Sequence, residues 1–155
     1  MRKLPFLLKP LFAAIFLHIT LILISVITEL IYSSFINPGK DAAFYRSHAE
    51  KTGPWISGIF GSILVFLIVR WFIKRSKSRF LAFAVFFPVV YFVTDIIILS
   101  FFPVKWNEVM PVILLSNGVK FIASLLSYYI YNRNENSRIN IIQWNNERVV
   151  HSNFP

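Results

Sequence analysis

Four apolar runs, near residues 11–35, 55–73, 80–102 and 111–131, divide this chain of 155 residues. Each can cross a hydrocarbon core of about 30 Å as a helix rising about 1.5 Å per residue. Inside lipid a single segment has to satisfy its own backbone hydrogen bonds, which leaves the helix as its one available conformation. Soluble domains interleave polar positions at helical or strand spacing, and these runs mostly do not. The sequence therefore predicts an all-α integral membrane protein. Its form is a four-transmembrane-helix bundle over residues 11–131, after a basic stretch at 1–10 and before a tail at 132–155.

Composition agrees. At 56% apolar and 17% aromatic residues, an ordinary soluble globule is excluded. A formal net charge of +9 would suggest nucleic acid on a soluble protein. Here the surplus lies mainly between the apolar runs, so the bilayer is the implied partner and no nucleic acid is expected. The chain has no Cys, which excludes disulfides, thiolate metal centres and Cys nucleophiles. Asp41, His48 and Glu50 do not share a helical face, so no metal site is expected. Phosphate loops, zinc-protease motifs and nucleophile elbows are absent as well, and no cofactor is implied.

Lys and Arg set the expected orientation. Arg2, Lys3 and Lys9 precede the first run, Lys74, Arg75, Lys77 and Arg79 join the second to the third, and Arg133, Arg138 and Arg148 follow the fourth. The opposite side holds only Lys40, Arg46, Lys51 and Lys105. Both termini should thus be cytoplasmic in a cell-membrane protein. The first run is too long for a cleaved signal and lacks a small-residue cleavage site, so it reads as a retained span. Tyr32, Trp55, Trp71, Trp106 and Tyr131 stand where an aromatic belt is expected.

The connection between spans 1 and 2 opens with the turn Asn37-Pro38-Gly39 and continues with a segment able to form a short surface helix. Pro54 and Pro111 each suit the first turn of a helix. The tail changes period after Tyr131, and residues 138–154 suggest a small hairpin or disorder.

Chemistry is expected where ionisable groups lie inside the spans, because each costs about 2.5–3.5 kcal/mol to insert unless it meets a partner or water. His18, Glu29, Arg70, Asp95 and Lys120 are such groups. Arg70, near a span end, is expected to snorkel to headgroups. At helical rise Glu29, Asp95 and Lys120 fall about 9, 10 and 13 Å from the outer end of their spans, which predicts one shared layer. His18, Ser25 and Glu29 lie on one face of span 1. Asn117, Lys120 and Ser124 lie on one face of span 4, and Tyr91 and Asp95 on one face of span 3. Gly58, Gly61 and Ser62 would allow span 2 close approach.

Asp95 is the expected partner of Lys120, being on the adjacent span. Glu29 is then a surplus acid, which a low-dielectric interior favours in its protonated form. Two uses of this cluster remain open: orientation of helices, or a site. As a site, Glu29, Asp95, Lys120, Asn117, His18, Ser25, Tyr91 and Ser124 would bind a small amphipathic or cationic ligand, or handle protons in transport or sensing. Alternatively the chain is a structural or regulatory subunit of a larger homo- or hetero-oligomeric membrane complex, or an intramembrane lipid-modifying enzyme with a carboxyl as general acid. A non-enzymatic bundle is the leading expectation.

Overall fold

In a computed structural model, residues 8–75 and 80–152 are described, with side chains as far as Glu135. The described residues are helical apart from the short connections at 37–41 and 101–105, as the apolar runs require. Helix α1 spans Leu8–Ile31 and continues as one wider turn, Tyr32–Ile36, closed by the Asn37 N–H on the Tyr32 carbonyl at 2.9 Å. Helices α2, α3 and α4 span Ala42–Arg75, Phe80–Ser100 and Trp106–Ser152. All four contain a stretch long and apolar enough to cross a membrane, ending at Glu135 in α4.

Three local expectations change. The surface helix between spans 1 and 2 is the opening of α2, which runs unbroken through Pro54. Its start is set by Asp41, whose carboxylate accepts the Phe44 N–H at 2.8 Å and so caps the helix. Gly39 supplies the positive φ of 78° in the turn just before, a conformation with no steric cost for glycine. Pro111 likewise lies inside α4 rather than opening it. The tail continues α4 to Ser152 in place of a hairpin or disorder. Extending an existing helix adds one hydrogen bond per residue fixed, and residues 132–152 contain neither Pro nor Gly to stop it.

Around the bundle the order is α1, α2, α4, α3, so consecutive α2 and α3 sit on a diagonal and touch little. Helices α2 and α4 run in the same direction, since Ser57 and Phe66 on one meet Ser116 and Ser127 on the other. Lys9, Lys74 and Arg75 mark one end of the bundle, called here the basic end. Near it the core is apolar: Phe83 stacks on Phe72 at 3.6 Å and on Phe87 at 5.6 Å, beside Leu17, Val65 and Val69.

The outside is apolar too. Phe16, Ile22, Trp55, Leu115 and Ile122 are each more than half exposed. Lys120, Ser124, Ser127 and Asn117 are buried. Water would reverse this arrangement, and a lipid surround accounts for it. Two interhelical serine-to-carbonyl bonds help lace the bundle: Ser124 Oγ donates to the Ala84 carbonyl at 2.6 Å and Ser127 Oγ to that of Phe66 at 3.0 Å. Such serine links take the place of the hydrophobic driving force that helices lack in lipid.

Candidate functional site: a buried polar layer

Above the apolar core, all four helices contribute to one polar layer. From α1, His18 reaches Asp95 on α3, with Nε2 and Oδ1 3.0 Å apart. The other ring nitrogen, Nδ1, lies 2.8 Å from the Ala14 carbonyl one turn back. Asn117 on α4 donates from Nδ2 to Asp95 Oδ2 at 3.0 Å and to the Ile113 carbonyl at 3.0 Å. Its Oδ1 is buried and has no hydrogen-bond partner among the described residues. Tyr91, one turn before Asp95, stacks on the His18 ring at 4.2 Å and 19°.

Lys120 completes the layer in a way the sequence did not suggest. Its side chain is 1% exposed, yet among the described residues no carboxylate lies within 4.0 Å of its amine. The ammonium donates to Ser57 Oγ on α2 at 2.8 Å and to Ser116 Oγ at 3.1 Å. The Tyr91 ring lies 4.6 Å from Nζ, a cation–π distance. The expected Asp95–Lys120 ion pair is therefore replaced. His18 and Asn117 occupy both oxygens of Asp95, and hydroxyls with an aromatic face solvate Lys120.

Gly61 makes that position possible. A Cβ there would lie 2.5 Å from Lys120 Cε and 3.4 Å from a Leu21 methyl, so the lysine stem runs over bare backbone. Gly58, the other candidate for close approach, has no described atom of a neighbouring helix within 4 Å of where its Cβ would be.

The single layer predicted for the three charges separates into two clusters. Glu29 is about 16 Å beyond His18 along α1. There its carboxylate takes His48 Nδ1 at 2.9 and 3.1 Å and the Thr52 hydroxyl at 3.0 Å. Tyr32 stacks on His48 at 3.6 Å and 6°. Helical α2 begins early enough to bring His48 and Thr52 beside α1, whereas the sequence places His48 in a short surface helix separate from span 2. Ser25 lies half-buried between the clusters and makes no side-chain hydrogen bond among the described residues. Ser124 belongs to the interhelical lacing below Lys120.

Ser57 and Ser116 are the members that sequence reasoning missed. Both left a signal. Ser57 is one helical turn from Gly61, and Ser116 one turn from Lys120, so each shares a face with a residue already singled out.

The hydrogen-bond roles at His18 constrain the protons. A carbonyl can only accept, so Nδ1 carries a hydrogen toward Ala14. The Nε2–Oδ1 contact then needs one more, held either by an imidazolium facing a carboxylate or by a carboxylic acid facing a neutral ring. Both descriptions place one shared proton between His18 and Asp95, in a pair with no net charge. No family model matches the chain, and no curated protein or solved structure is significantly similar to it.

Proposed function

We propose that this chain is a multi-pass cell-membrane protein, with both termini cytoplasmic, whose bundle core binds an exchangeable proton at His18–Asp95 in transport or sensing. The observation that carries this reading is the engagement of both His18 nitrogens by acceptors. A histidine held only for packing needs one such partner. Tyr91 and Asn117 hold the imidazole and carboxylate in register, and the Lys120 ammonium lies against the same Tyr91 ring. The orphaned Asn117 Oδ1 is an acceptor available to a water or to the donor group of a small cationic or amphipathic ligand.

Both intramembrane carboxylates, Glu29 and Asp95, find partners within the chain. That supports a self-contained bundle over a subunit whose charges wait for a second chain.

The test is infrared difference spectroscopy of the reconstituted protein between about pH 5 and 8, the window in which histidine ordinarily titrates. A carboxyl or imidazole band that changes across this window and disappears in both Asp95→Asn and His18→Gln is the expected result. A spectrum without such a band removes the proton site. A reporter fused after the last span should read as cytoplasmic and one inserted near Lys51 as external; the reverse would invert the orientation while leaving the proton pair intact.

A further inference from the structure

At the basic end, away from the polar layer, an open groove of about 920 Å³ runs between α1 and α2. Phe12 and Phe16 form one wall, Trp71 and Leu67 the other, and Phe72 and Phe83 lie along its base. Phe12, Phe16 and Trp71 are 59%, 60% and 56% exposed, so no part of the described chain covers it. Lys9, the second residue of α1, and Arg75, the last of α2, both line it at the basic end, because the two helices run in opposite directions. Aromatic faces hold both cations in place. Lys9 Nζ is 5.3 Å from the centre of the Phe72 ring, and the Arg75 guanidinium 4.5 Å from that of Trp71. No acidic residue lines the groove, and neither cation pairs with a carboxylate among the described residues.

We infer that this groove is a binding site for an anionic phospholipid, with its phosphate between Lys9 and Arg75 and an acyl chain along the aromatic walls. Depth supports the assignment. Phe16 lies about 10 Å further into the bundle than Lys9, so the cations sit at headgroup level when the walls sit at acyl level. Two cations without a carboxylate partner among the described residues, above an apolar trough, match a ligand that is anionic at one end and hydrocarbon at the other. A second copy docked through the same groove would bring two more cations against these two, because no acidic residue lines it. A zwitterionic lipid would fill the trough without the charge match. Guanidinium suits the phosphate particularly well, because its planar donors can bind two oxygens at once.

Trp71 makes the site directly readable. The full-length protein is reconstituted in phosphatidylcholine bilayers containing an equal small fraction of either dibrominated phosphatidylglycerol or dibrominated phosphatidylcholine, and tryptophan emission is recorded. A basic residue at the membrane surface favours an anionic lipid about fivefold. The phosphatidylglycerol probe should therefore quench at a fraction at least about fivefold lower. That selective component should vanish in Trp71→Phe, and the two probes should become equivalent in the double variant Lys9→Gln/Arg75→Gln. An unchanged circular-dichroism melting curve reports that the bundle of the double variant remains folded in the bilayer.

Equal quenching by both probes in the unmodified protein would reduce the groove to ordinary boundary lipid and overturn the inference. So would a preference that survives Lys9→Gln/Arg75→Gln or Trp71→Phe, since the anion would then be held elsewhere. A Trp71 component that neither lipid quenches would mean that a second copy occupies the groove, which also overturns it.

Discussion

Two histidine–carboxylate pairs are built on α1, about 16 Å apart along the helix axis, and they differ in what the second ring nitrogen meets. Their carboxylates are similarly covered, with the Asp95 side chain 22% exposed and that of Glu29 19%. The imidazoles are not: His18 is 11% exposed and His48 24%. His48 gives Nδ1 to Glu29 and makes no hydrogen bond through Nε2 among the described residues. A neutral imidazole donating from Nδ1 satisfies that pair. His18 has an oxygen on each side, so its pair holds one shared proton, and releasing that proton leaves two acceptors face to face. Proximity of an acid and a histidine is therefore a weak sign of proton chemistry, and the partner of the second nitrogen is the informative observation.

The comparison breaks first at the carboxylates. Asp95→Ala strands the His18 Nε2 and the Asn117 amide inside the bundle, and the expected loss of stability is about 3 kcal/mol. Glu29→Ala, at the far end of the bundle, should cost about 1 kcal/mol. Thermal unfolding in detergent measures both, and equal losses would mean that the two clusters are one structural class. Gly61→Ala comes next, at about 1–3 kcal/mol, because the added methyl overlaps the Lys120 stem. The same change made together with Lys120→Ala should recover most of that loss. Additive losses in the double variant would show that Gly61 serves something other than the lysine.

Smaller effects sharpen the contrast. His48→Gln keeps an amide donor for Glu29 and should shift stability by no more than about 0.5 kcal/mol. Tryptophan or circular-dichroism melting curves resolve the difference from Asp95→Ala. Lys120→Met is expected to be milder than a buried lysine suggests, within about 1 kcal/mol of the unmodified protein. An ion-paired lysine would leave a carboxylate stranded on removal. Here Ser116 and Ser57 remain 3.3 Å apart and can bond to each other. A loss of several kcal/mol would restore the ion pair that the sequence suggested.

Much of the architecture was legible from the four apolar runs, because lipid leaves an isolated segment no other way to satisfy its backbone. The turn at Gly39 was legible for an equally local reason. Helix ends were less so. Proline at position 54 or 111 has the same fixed φ whether it opens a helix or lies within one, and the deciding factor is whether the preceding residues are held. For α2 they are held by the Asp41 cap and by the contacts of His48 and Thr52 with Glu29.

Residue type and helical spacing by themselves determined which side chains could enter the interior. Every member of the polar layer lies on a face that periodicity identifies, including Ser57 and Ser116 once Gly61 and Lys120 are taken as guides. Pairing was decided only by the tertiary structure. Counting rise from the span ends put Glu29, Asp95 and Lys120 at one depth, whereas the order α1, α2, α4, α3 and the relative offsets of the helices set Asp95 against His18 and left Glu29 to His48. A sequence records position along each helix axis to within a turn. It does not record rotation and sliding between helices, and a displacement of a few ångströms is enough to exchange one hydrogen-bond partner for another.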